Sequence, residues 1–176
     1  MNFAFSLVLA ATAAASLQKA LDSSTTWTME RTLAESGQTL SSTGEVHCTV
    51  GRGIKWQTLK PFPSSVEMTP DAMIFSDEDG RVEKPLSKIP LYADMRKATD
   101  DFAGGNTNAF DGIFKIAESP LPDGGWRLVL TPEISAMRRL FSSMELSGAE
   151  FPTNAVIRSG DGGTSTLRFK EPASVR

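Results

Sequence analysis

Residues 51–70, GRGIKWQTLKPFPSSVEMTP, decide how this chain folds. Ile54, Trp56 and Thr58 alternate with Lys55, Gln57 and Leu59, so one pleat face of a strand carries most of the apolar bulk. Pro61 and Pro63 then bracket Phe62. Proline has no N–H to give to a sheet ladder, so this pair ends the strand and turns the chain before Val66 and Met68 resume the two-residue period. The stretch predicts two antiparallel strands sharing one apolar face.

Upstream, a short helix over 17–22 leads into a strand over 26–33, with Trp27, Met29, Arg31 and Leu33 on one face and Thr28, Glu30 and Thr32 on the other. Ser36-Gly37 turns the chain into a strand over 42–50 that places Gly44, Val46, Cys48 and Val50 together. Consecutive strands joined by tight turns make an antiparallel meander, which needs no crossover helix. Downstream, residues 72–76 carry Met73 and Phe75 and stop at the acidic turn Asp77-Glu78-Asp79-Gly80.

The period then changes. Leu91, Tyr92, Met95, Ala98 and Phe102 fall at three- and four-residue steps, which predicts an amphipathic helix over 89–102, ended by a left-handed cap at Gly104-Gly105-Asn106. Strand patterns return over 110–117, which includes Phe114, and over 126–131, where Trp126, Leu128 and Leu130 share a face until Pro132. Residues 134–141 read as a short helical segment gathering Met137, Leu140 and Phe141, with Arg138 and Arg139 outward. Strands over 143–146, 155–158 and 164–169 follow, the last two joined through the Gly160-Asp161-Gly162-Gly163 turn. About ten strands and two or three helices predict an α+β, mainly β fold: a strongly curved antiparallel sheet with helices covering its concave apolar face.

The 176 residues, 40% of them apolar, suffice for one domain. Residues 1–15, MNFAFSLVLAATAAA, lack charge, are too short to span a bilayer, and offer small residues at Ala13 and Ala15. They read as a signal peptide cleaved after Ala15, leaving 16–176 as the mature, exported domain. Lys and Arg number eighteen, are dispersed, and leave a net charge of −3, which excludes a nucleic-acid footprint. The one cysteine, Cys48, cannot form an internal disulfide and reads as a small buried hydrophobe.

Catalytic chemistry finds little support. His47 is the only histidine, no GxSxG elbow is present, and the run Asp77, Glu78, Asp79 reads as a solvated turn. No catalytic residue, metal or cofactor is expected. What stands out is seven Met, ten Phe and three Trp, an excess of soft, large apolar side chains. Composition by itself favours core filling, but such residues also line surfaces that receive ligands of variable shape.

The order of elements around STGEVHCTVGRGIKWQTLKPFPSSVEMTPDAMIF and GWRLVLTPEISAMRRLFSSMEL resembles the LolA-type outer-membrane lipoprotein carriers over nearly the whole mature chain. The resemblance implies an incomplete antiparallel barrel enclosing an apolar cavity, and a periplasmic carrier that is not an enzyme. Its partners would be lipoprotein or lipid acyl chains, an inner-membrane donor and an outer-membrane acceptor, with transient membrane contact only and a monomeric state. On this chain the first strands would line the cavity through Trp27, Met29, Val46, Ile54, Trp56, Met68 and Phe75. The later ones would add Phe114, Trp126, Leu128, Leu130, Met137 and Phe141. Leu91, Met95 and Phe102 would face it from a helical lid. In known members an arginine shortly before the matching tryptophan helps hold the lid; Arg52 lies in that region, and Arg31, on an apolar strand face, is its rival. The other reading is a non-catalytic interaction domain with a filled core.

Overall fold

A computed structural model describes residues 13–104, 106 and 108–172; the proposed leader falls outside them except for Ala13, Ala14 and Ala15. Helix α1 (residues 13–20) is followed by six strands in meander: β1 (Ser24–Thr32), β2 (Thr39–Thr49), β3 (Gly53–Lys60), β4 (Ser64–Met68), β5 (Ala72–Asp77) and β6 (Gly80–Pro85). A 3-10 turn (Leu86–Lys88) and helix α2 (Pro90–Ala103) lead to a second meander of β7 (Phe114–Pro120), β8 (Trp126–Pro132), β9 (Phe141–Gly148), β10 (Pro152–Ser159) and β11 (Thr164–Phe169). The single turn α3 (Ser135–Arg138) lies between β8 and β9.

All eleven strands belong to one sheet, in the order β6-β5-β4-β3-β2-β1-β11-β10-β9-β8-β7. Pairing of β1 with β11 fuses the two meanders, and the sheet does not close, because β6 and β7 are its free edges. The segment holding α2 therefore runs from one free edge to the other. Geometry demands strong curvature. Ile54 on β3 and Leu128 on β8 line one cavity although six strand steps separate them, roughly 29 Å on a flat sheet at the usual spacing. Three steps separate Trp56 from Phe169, yet their ring centroids lie 6.2 Å apart, edge to face. The expected incomplete, curved antiparallel barrel is thus the observed one.

Register follows the alternation of residues 51–70. Trp56 stands opposite Val46 and Val66, and Ile54 opposite Cys48 and Met68, so these six side chains share the concave face. Trp27 pairs with Gly44 and Phe169. With no side chain at Gly44, the Trp27 ring crosses that position and stacks on Trp56 at a centroid distance of 4.8 Å.

Four local expectations differ. Strand β6 was not expected: it is exposed throughout, so apart from Val82 it carries no apolar alternation to read. Residues 134–141 hold only one helical turn, because Phe141 already pairs with Ser159 and the chain must extend there; Leu140 is 64% exposed and does not join the buried Met137. Strand β7 begins at Phe114, four residues late, after hydrogen-bonded turns through Asn108 and Phe110. Gly104 caps α2 with right-handed angles, φ −76° and ψ 0°, so no left-handed residue stands at that position.

Candidate functional site

Three apolar cavities lie between the concave face and the helices. The largest, about 430 Å³, is walled by Leu17 of α1, Phe102 of α2, Phe110 and Ile116 near the β7 edge, and Leu128, Leu130 and Leu146. Beside it a cavity of about 390 Å³ is lined by Val46, Trp56, Met68, Leu146, Phe151 and Phe169. A smaller one of about 250 Å³ lies under α2, against Tyr92, Met95, Arg96 and Thr99. Ile54 lines all three, and Cys48 lines the two larger ones. The larger two fall within the size range of small-molecule sites, and almost all of their lining is apolar. Curvature explains the open volume: strands that bend around on each other bring facing side chains close only where large rings such as Trp56 and Phe169 reach across.

Helix α2 covers the opening, seating Tyr92, Ala98 and Phe102 in buried positions, with the Phe102 and Phe110 ring centroids 5.6 Å apart. It starts at Pro90, whose missing N–H costs nothing at a helix start, but no side chain caps it. Arg96 pairs with Asp100 at 2.8 Å one turn on, and Gln18 of α1 donates from Nε2 to the Phe102 carbonyl at 2.9 Å. The buried stripe is Tyr92, Ala98 and Phe102, with Met95 and Thr99 at the cavity. Leu91 is only half-buried and lines none of the three cavities, whereas Tyr92, Met95, Ala98 and Phe102 hold the expected inward face. Burial pushes the Tyr92 phenol upward, partly countered by the adjacent Arg96 guanidinium.

Neither arginine suggested by the sequence reaches a cavity. Arg31 pairs with Asp161 at 3.4 Å at the rim of the sheet, and Arg52 is exposed in the β2–β3 turn. The arginine at the site is Arg96, whose side chain is 12% exposed and approaches Gly53. Gly53, at φ +123°, lets the chain enter β3 against the Met68 carbonyl, where any Cβ would collide.

Of the residues expected to line a cavity, Val46, Ile54, Trp56, Met68, Leu128, Leu130, Met95 and Phe102 do so. Trp27 lies behind Trp56 as its stacking partner, and Trp126 is fully buried beside Ala13, its Nε1 donating to the Ala149 carbonyl at 2.7 Å. Phe114 and Phe141 continue a tilted row of rings from Phe102 through Phe110. Phe75 lies under the Lys84 ammonium, Met137 is buried in α3, and Met29 is half-buried between β2 and β11. Cys48, Leu146 and Phe169 line cavities without being among the expected residues; Cys48 has the parity of Val46 on β2, whereas β11 held no expected residue and Leu146 is out of sequence parity with Phe141 on β9.

Two polar features remain. On the outer face His47 bonds Ser24 Oγ through Nδ1 at 2.8 Å and Glu45 Oε2 through Nε2 at 3.2 Å. This row lies on the regularly paired β1 and β2, where Ser24 stands opposite His47 and Thr26 opposite Glu45. On the inner face Glu118 of β7 projects into the largest cavity, and desolvation raises its carboxyl pKa. Among the described residues no cluster could hold a metal ion, and no helix is long and apolar enough to cross a membrane.

No family model and no curated protein matches the chain. Among solved structures it is similar to a LolA superfamily protein from Nitrosomonas europaea, at 11% identity and a TM-score of 0.45 over 86% of this chain and 85% of that one. It is likewise similar to an outer membrane lipoprotein-sorting protein domain from Vibrio parahaemolyticus, at 11% identity and a TM-score of 0.41 over 91% and 90%. A third similar structure is the MucA/MucB complex of Pseudomonas aeruginosa, at 14% identity and a TM-score of 0.40 over 90% of this chain and 56% of that one.

Proposed function

We propose that this chain is a periplasmic carrier that holds acyl chains of a lipoprotein or other lipid in its concave cavities and passes them from an inner-membrane donor to an outer-membrane acceptor. One observation carries the reading: adjoining apolar cavities of about 390 and 430 Å³, both lined by Ile54, Cys48 and Leu146, between the concave face and the helices. A filled core would leave no such volume. Each methylene moved from water into such a site contributes about 0.8 kcal/mol, so a long chain needs no polar anchor to be held. Adaptable residues such as Met68 and Met95 suit cargo of varied shape, and α2 serves as the lid. Cleavage after Ala15 would remove Ala13 from its place against Trp126 and Leu128 and enlarge the cavity from that side.

The test is displacement of a fluorescent apolar probe by fatty acid, in the purified protein and in Ile54→Trp. The larger ring would occupy the junction of the cavities and weaken binding while the sheet remains folded. No probe binding by the unaltered protein would overturn the carrier reading in favour of the filled interaction domain.

A further inference from the structure

Strand β7 alternates Phe114, Ile116 and Glu118 toward the concave side, so a carboxylate occupies a position its neighbours use for apolar contact. It stands opposite Leu128, and both side chains line the largest cavity. Oε1 of Glu118 is shut off from solvent and accepts no hydrogen bond among the described residues. Among the described residues the other polar groups of that lining are Thr99 and Asn108, which are neutral, and no Lys or Arg lines it. Cations near β7 are directed elsewhere: Arg127, on the outer face of β8, pairs with Glu145 at 2.8 Å, and Lys115 is exposed on the opposite pleat face of β7. Withdrawing Oε1 from water without a partner costs free energy in the empty protein; uptake of a proton relieves part of that cost, and a donor that arrives with the cargo offsets it while keeping the charge.

We infer that Glu118 makes the cavity selective for a lipid whose head end carries a protonated amine, which donates N–H to Oε1 while its chain lies along Leu128, Leu130 and Leu146. This rests on the carrier reading and specifies its cargo. A charged donor is favoured over a neutral hydroxyl because the bond is charge-assisted and the ligand supplies the one cation that the lining lacks.

The experiment measures dodecylamine and dodecanol, each below its aggregation threshold, as competitors of a neutral fluorescent probe. The mature protein should bind the amine about tenfold or more tightly than the alcohol, the difference expected for one hydrogen bond to a charged group. Glu118→Gln keeps the size of the side chain on an edge strand, so it should bring the ratio of amine to alcohol affinity down to about one. Equal affinities for amine and alcohol in the unaltered protein would overturn the inference without need of the variant, and so would a preference that survives Glu118→Gln. Failure of both ligands and the probe to bind would refute the carrier reading itself.

Discussion

Cys48 offers a native report on the cavities, and its chemistry can be worked out in advance. The thiol sits on β2 between Val46 and the β2–β3 turn, faces the two larger cavities, and is held by burial from 9.0 up to about 11. At pH 8 this lowers the thiolate fraction ~100-fold relative to a solvated thiol, and only the thiolate reacts with an alkylating reagent. Iodoacetamide labelling followed by intact mass should therefore be about two orders of magnitude slower than for a free cysteine peptide, rising about tenfold for each pH unit until it levels near pH 11. The linked effect on stability has a definite sign. Because the fold holds the proton more tightly than the unfolded chain does, the contribution is complete below pH 9 and is lost as pH rises through about 11. An acyl chain in either larger cavity covers the thiol, so fatty acid should slow labelling further, in proportion to occupancy. Labelling at the free-peptide rate at pH 8, or a rate indifferent to saturating fatty acid, would refute the placement of Cys48 at a ligand site.

Two further perturbations probe the wall and the lid. A Cβ built at Gly44 would lie 1.9 Å from the Gln57 carbonyl oxygen and 2.5 Å from the Trp27 ring, so Gly44→Ala should cost at least about 1–3 kcal/mol in urea unfolding and alter the tryptophan emission of the stacked pair. An unchanged unfolding midpoint would show that the ring does not cross Gly44. Met95→Asp places a carboxylate at the cavity under α2, worth roughly a few kcal/mol if the helix stays docked, so the helix should leave, the sheet should stay folded by circular dichroism, and fatty acid should no longer be retained. Cooperative unfolding of the whole domain would instead make α2 part of the core.

The concave face was legible because an antiparallel strand buried on one side shows its period directly: Ile54, Trp56, Val46 and Met68 were assigned to one face, and the register brings them together. Strand β6 was not, since an exposed edge imposes no such period, and on α2 only Leu91 falls outside the expected stripe, because of the two adjacent positions Tyr92 takes the buried one. Alternation also says which face a side chain takes but not what stands above it. Cys48 was therefore read as core filler, whereas the cavity beside it exists only because β3 and β8 curve toward each other across six strand steps.

On β7 the sequence Phe114-Lys115-Ile116-Ala117-Glu118 puts a carboxylate on the parity of two large apolar residues, as Arg31 shares the face of Trp27 and Met29 on β1. Both are charges on an inner parity, yet the structure separates them. Arg31 lies at the rim, where Asp161 reaches it, whereas Glu118 stands opposite Leu128 inside the curve with one oxygen unpartnered. The partner thus distinguishes the two charges: Asp161 stands 3.4 Å from Arg31, whereas nothing among the described residues donates to Glu118 Oε1, which leaves that oxygen for a ligand to complete.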